Sequence, residues 1–388
     1  MPKQRWWWGL GIVLLAMMGV AAFWYWTRPP VPEAPPLALG GTGDATGFTR
    51  ALEPRTFSFP RDHGPHLDYQ TEWWYYTGNL DLADGRHVGY QLTFFRRGLS
   101  PAAPERASAF GTNQIYFAHF AITDVSADQH QSFERFSRGA AGLAGASGEP
   151  FSVWLDDWQV QALDVVGEQL HLKAAQGGLA LDLTLDATKP IVAHGDAGLS
   201  PKSSTPGNAS YYLSFTRLAT TGTVTLADGS SQAATGESWF DHEWSTSALG
   251  AGAIGWDWFS LQLSDGQELM YFQIRKEDGS LEAVSGGTLV APDGTTRHLS
   301  ADEVQLDVLD TWRSPVSGAA YPAGWRLRIP SAGLDLQATP WIADQEMQVS
   351  FVYWEGAVRL TGISQGVALT GNGYIELTGY AASIAGQF

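Results

Sequence analysis

Five Asp-Gly pairs, at Asp84, Asp228, Asp265, Asp278 and Asp293, cut the body of this chain into short segments. Asp-Gly between alternating runs favours two-residue hairpin turns, because both positions tolerate positive φ. The runs beside the pairs do alternate. Val88, Tyr90, Leu92 and Phe94 interleave with His87, Gly89, Gln91 and Thr93, and Phe259, Leu261 and Leu263 interleave with Trp258, Ser260 and Gln262. A period of two gives a strand with one packed face and one wetter face. No body segment carries a sustained 3.6-residue apolar stripe, so the expectation is all-β, with antiparallel strands closed into barrels or sandwiches. The 388 residues exceed one ordinary barrel and suit two domains of roughly 150 to 200 residues each.

The first residues follow a different rule. Lys3 and Arg5 precede an uncharged run from Trp6 to Trp26. As a helix that run reaches about 31 Å at 1.5 Å per residue, enough to cross a bilayer core. Trp6, Trp7 and Trp8 stand at one end and Phe23, Trp24, Tyr25 and Trp26 at the other, as aromatic belts do at membrane interfaces. Residues 1–28 are expected to be a signal anchor with the positive flank cytoplasmic and the body exported; a cleaved signal peptide is the rival reading. The protein is then either anchored in an inner membrane facing the periplasm or released there. Pro29 to Pro36 begin a stiff spacer over 29–47. The expected domains are 48–221 and 222–388, after a Gly-, Ser- and Pro-rich stretch from His194 to Ser210.

Composition removes several functions. Forty acidic against 23 basic residues, a net charge of −17, disfavour nucleic acid. The absence of cysteine excludes disulfides, thiolate nucleophiles, Cys-based metal sites and a lipoprotein cysteine. There is no G-x-S-x-G elbow, no phosphate-binding G-x-x-x-x-G-K-[ST] loop and no H-E-x-x-H helix, and no cofactor is expected.

Four segments set ionisable groups among large aromatics: His66–Leu80, Tyr116–Asp124, Gly236–Ser245 and Gly255–Leu263. If Ser238–Trp244 is a strand, Trp239, Asp241 and Glu243 face one way and Phe240, His242 and Trp244 the other. Two carboxylates about 7 Å apart beside a tryptophan would have raised pKa values, and a carboxylic acid that stays protonated serves as a general acid. The plainer alternative is that both accept hydrogen bonds from loop amides and indole N–H groups. Asp-His-Glu also resembles a metal-ligand set, but adjacent strand side chains point apart, and no metal is expected. Asp257 shares a face with Phe259, Leu261 and Leu263 and needs a partner, such as an arginine, or a task. His119 sits with Ile115 and Phe117, either as a satisfied barrel histidine or as a ligand contact. Glu72 precedes Trp73, Trp74, Tyr75 and Tyr76, which either fill a core or line a lumen for an apolar ligand.

Taken together, TEWWYYTGNL, FAHFAITD, SWFDHEWS, GWDWFSLQL and the closing GNGYIELTGY, in that order, resemble the AttH-like family, related to carotenoid 1,2-hydratases. The resemblance spans residues 48–388. It implies two tandem lipocalin-like (calycin) β-barrels. Asp241 matches the hydratases' acidic residue, and Trp256-Asp257-Trp258-Phe259 resembles their Trp-Asp-Trp-Ser stretch. Trp239 replaces their tyrosine, and their His-x-Trp segment falls near Tyr211–Ser214, where it is absent. The resemblance also implies association with ABC-type envelope transporters.

Two functions follow as expectations. In one, Asp241, with His242, Glu243, Tyr212 or Asp257, hydrates or hydrolyses a lipophilic small molecule held by Glu72, Trp73, Trp74, Tyr76, His119, Trp239, Trp244, Trp256 and Trp258. In the other, the barrels carry a lipid or similar ligand for a transporter and the carboxylates are structural.

Overall fold

In the computed structural model, which describes residues 45–102, 105, 108–247 and 249–385, each Asp-Gly pair turns the chain back on itself. The five glycines have φ between 80° and 89°, but none of the aspartates is left-handed. Each aspartate instead accepts, on its carboxylate, the backbone N–H two residues on: Arg86, Ser230, Gln267, Ser280 and Thr295, at 2.8–3.1 Å. The side-chain bond closes the turn, so one positive-φ residue suffices where two were expected.

The described residues form two antiparallel sheets and three single-turn 3-10 segments, with no α-helix among them. The expected anchor over 1–28 and residues 29–44 of the expected spacer lie outside the described residues. Among the described residues no helix is long and apolar enough to cross a membrane.

The first sheet has thirteen strands and curls into a near-closed barrel. Strands from its two ends meet across the interior, with Phe120 edge-on to Trp158 at 5.5 Å and Arg135 Nε donating to Gln176 at 2.8 Å. The second has ten strands and forms a half-barrel around its own core, where Phe259 is edge-on to Trp325 at 5.9 Å. Both share one plan. The first strand pairs with the last: Thr71–Leu82 with Ser231–Ser245, and Ala253–Leu263 with Val367–Leu377. No repeat in sequence announces this.

The expected division at 221/222 falls inside the strand Ala209–Thr225. The Asp228-Gly229 turn sends the chain straight back as Ser231–Ser245 into the same sheet, and the chain changes sheet between Ser245 and Ala253. The loop-rich stretch after His194 also stays with the first sheet, through the short pairing of Leu199–Pro201 with Ala209–Thr225.

Alternation holds, but the second face is not wet. Val88, Tyr90, Leu92 and Phe94 fill the interior of the first sheet, and Gln91 and Thr93 on the other face are equally buried. The second sheet packs against that face. Gln262 Nε2 donates to the Thr216 and Ser238 carbonyls at 2.9 and 3.0 Å, and Asn79 Nδ2 donates to the Gly373 carbonyl at 3.0 Å. Contact is close enough that a Cβ on Gly89 would lie 2.4 Å from Ala357 Cβ, so glycine is required there. The sheet interiors are filled by apolar side chains. Trp74 and Tyr76, two of the aromatics that the sequence allowed to line a lumen, are therefore core, and the space they could have lined lies elsewhere.

Candidate functional site between the two sheets

That space is a pocket of about 820 Å³, counting its open mouth, with one wall from each sheet. Trp73, Tyr75, Tyr212, Asp241 and Glu243 come from the first sheet, and Trp256, Trp258, Phe272, Glu355 and Glu376 from the second. On Ser231–Ser245 the two-residue period sends Asp241 and Glu243 to the pocket and Phe240 to the interior core. Neighbouring strands complete the wall: Tyr75 and Ser214 stand opposite Asp241, and Trp73 and Tyr212 opposite Glu243.

Among the described residues, Asp241 is surrounded by side-chain donors and no cation. Trp239 Nε1 donates to Oδ1 at 2.6 Å, Ser214 donates to the same oxygen, and Tyr212 donates to Oδ2 at 2.7 Å. Trp258 Nε1 in turn donates to the Tyr212 hydroxyl at 2.8 Å. Burial pushes the Asp241 carboxyl up to about 7, against the pull of those three hydrogen bonds, with Glu243 adding to the rise. Behind Ser214 lies His194, held neutral by burial, which lowers it to about 3. Its Nε2 meets Ser214 Oγ at 2.8 Å and its Nδ1 meets Thr288 Oγ1 at 2.8 Å. Because Ser214 donates to Asp241, the network assigns the Nε2–H tautomer, with Thr288 donating to Nδ1.

Glu243 is different. It takes the Ser210 hydroxyl and pairs with Lys202 Nζ at 2.8 Å. On the facing wall Glu355 and Glu376 are register partners on paired strands. Tyr75 donates to Glu355 Oε1, while the buried Oε2 has no hydrogen-bond partner among the described residues. Burial, then the nearby Glu376, raise Glu355 well above the carboxylate range. Burial pushes Glu376 up to about 8, against a hydrogen bond with Trp256.

A family model described as AttH-like matches residues 50–380. The chain belongs to the AttH-like family. It is similar to a solved AttH structure from Nitrosomonas europaea, at 33% identity over 86% of this chain and 100% of that one, with a TM-score of 0.76. Its fold is also that of kievitone hydratase from Nectria haematococca, at 15% identity over 87% and 97% of the two chains and a TM-score of 0.65. CghA shares it at 14% identity over 87% and 96%, with a TM-score of 0.54. No curated protein matches the chain. The expected lipocalin-like, all-β architecture is that of this AttH-like chain.

The structure sorts the candidate residues of this AttH-like protein by strand face. Asp241, Glu243, Tyr212, Trp73, Trp256 and Trp258 line the pocket. Trp239 and His119 stand behind the lining: Trp239 donates to Asp241, and His119 Nδ1 meets the hydroxyl of Tyr353, a lining residue, at 2.8 Å while its Nε2 meets Glu134 at 3.0 Å. Trp74, Tyr76 and Trp244 are instead core, because alternate residues of their strands point away from the pocket. Asp257 also leaves the candidate catalytic set. It points to the other face from Trp256 and Trp258 and is held by Arg275 Nε at 2.9 Å, Gln273 at 2.8 Å and Tyr380 at 3.2 Å.

Glu72 and His242 belong to a separate buried network. Glu72 accepts from Arg96 Nε at 2.8 Å, His242 Nε2 at 2.9 Å, His66 Nδ1 at 2.8 Å and the His66 backbone. His66, Glu72 and His242 offer ligand atoms within 4.8 Å of one another. The Arg96 guanidinium on the same carboxylate makes this donor set a poor fit for a metal cation, whose charge it would oppose.

Ser214, His194, Lys202, Phe272, Tyr353, Glu355 and Glu376 were not singled out from sequence. One signal was available for Glu376. It stands in the run Tyr374-Ile375-Glu376-Leu377, an acid on a buried strand, and such a group needs a partner or a task.

Proposed function

We propose that this AttH-like protein is an acid–base enzyme acting on a lipophilic, unsaturated small molecule, with Asp241 as the proton donor. One observation carries the reading: an aspartate held near neutrality opens into an aromatic pocket without a cationic partner. Oδ1 already takes two donors and Oδ2 one, so Oδ2 holds the proton. Transfer to an alkene carbon forms a C–H bond and leaves a carbocation, which the faces of Trp73, Trp256 and Trp258 stabilise. The three side-chain donors receive the carboxylate left behind and are in place before the proton moves. Water then adds to the cation, and its proton returns to Asp241. The net reaction is hydration, and kievitone hydratase, which shares the fold, is named for a reaction of that type. On the sequence grounds already given, the body works on the periplasmic side of a membrane, where an ABC-type transporter is a candidate partner.

The test is a panel of lipophilic alkenes incubated in oxygen-labelled water and in deuterium oxide. Label on both carbons of the former double bond, absent with Asp241→Asn, supports the reading. A retained, chemically unchanged ligand with no turnover of any panel member would replace it with carriage.

A further inference from the structure

The pocket already holds one ammonium. Lys202 Nζ lies 5.2 Å from the centroid of the Tyr212 ring and 4.9 Å from that of Phe272, and 2.8 Å from Glu243. Aromatic faces with a carboxylate beside them are the arrangement that receives organic cations. The opposite part of the pocket repeats the ingredients without the lysine. Glu355 and Glu376 face each other from paired strands, and Trp256, Trp258 and Tyr353 line the same space. Lys202 is the one basic side chain among the described residues that line it, and it is spent on Glu243. Glu355 is wholly buried, and among the described residues its Oε2 has no hydrogen-bond partner. A buried carboxyl without a neutralising partner is costly to ionise unless a ligand brings positive charge to it.

We infer that the Glu355–Glu376 side of the pocket is a receptor for an organic cation, a substituted ammonium whose charge rests against the two carboxyls and whose apolar part rests on Trp256, Trp258 and Tyr353. The inference rests on the reading of this pocket as the ligand site and deepens it. A permanent ammonium carries the charge that protonation by Asp241 would create only briefly on a substrate. The groups that face Glu355 are Tyr75, Tyr353, Tyr374 and Glu376, and those that face Glu376 are Glu355, Tyr75, Tyr353, Trp256, Asp241 and Glu243. None is a cation. An incoming ammonium therefore favours the ionised carboxylates and drives a proton off.

The probes are phenyltrimethylammonium and its neutral isostere tert-butylbenzene, titrated into the full chain near neutral pH. Binding is followed by tryptophan fluorescence and by calorimetry in two buffers of different ionisation heat. The ammonium should bind about tenfold tighter than the isostere and release protons to the buffer. Glu355→Gln with Glu376→Gln should abolish both the preference and the release. Equal affinity for the two probes, or binding without proton release by the unaltered chain, would overturn the inference even if the double variant failed to fold. The two readings fail separately. Undiminished turnover by Asp241→Asn would remove the acid and leave the cation site, and loss of charge preference would do the reverse.

Discussion

Glu72 and Glu355 are both wholly buried glutamates on long strands, and their surroundings differ in charge. Around Glu72 stand Arg96, His242, His66 and a backbone N–H, all donating. Burial alone would raise its pKa, but the Arg96 charge and the two imidazole hydrogen bonds outweigh it and hold the carboxyl far below its ordinary range. Around Glu355 stand one tyrosine hydroxyl, Glu376 and aromatic rings, and burial wins. Asp241 and Glu376 follow Glu355. A carboxylate saturated by cations is locked in one charge state and ties segments of chain together. A carboxyl left to burial keeps a proton that it can give away near neutral pH.

Four outcomes would break or sharpen that contrast. The largest is kinetic. Asp241→Asn should lower turnover by roughly 10² to 10⁴-fold in a chain that still unfolds cooperatively, read from steady-state rates and urea unfolding. Next, Glu72→Ala should cost about 3–5 kcal/mol, because it strands the buried Arg96 charge. A urea midpoint close to that of the unaltered protein would show that the network is not structural, and the contrast would collapse.

The third outcome is a pair of opposite pH dependences. Asp241 rises from its ordinary 3.8 to about 7 on folding. Its contribution is fully present below pH 3.8 and is lost as pH rises through 7, a span worth about 4 kcal/mol at 1.4 kcal/mol per unit. Glu72 is lowered from 4.5, so its contribution is present above that value and is lost as pH falls. Urea unfolding across the pH range should therefore show Asp241→Asn gaining on the unaltered protein as pH rises from 4 to 8. A constant difference would refute the assignment. The smallest effect is at Trp239→Phe, which removes an N–H that favours the ionised form. The alkaline limb of the rate profile should move up by about one pH unit, and a downward move would contradict the role given to that indole.

Much of this was legible in the residues. The Asp-Gly turns and the period-two runs state the strands, and the spacing of Trp239, Asp241 and Glu243 states that they share a face. That Phe240, His242 and Trp244 share the other face is equally plain, yet a run of aromatics and acids reads as one place and draws His242 and Trp244 into the candidate site. The pocket shows that only half of each such run meets it. Glu355 and Glu376 are hidden in the sequence for a different cause. Each is an isolated acid in its own segment, and their partnership exists only because Tyr353–Ser364 and Val367–Leu377 pair in register.

By itself, then, the order of residues determines local matters: where the chain turns, which side chains alternate, and that buried acids exist. These depend on backbone sterics and on a period that neighbours impose on one another. Only the tertiary structure decides which face of each strand becomes interior and which meets the other sheet, and which acids receive a cation. Arg96 reaches Glu72 from the next strand, while residues nearly three hundred positions apart, such as Tyr75 and Glu355, meet with no cation between them. Charge state follows from distance and solvent exclusion, and both are set by how the sheets pack.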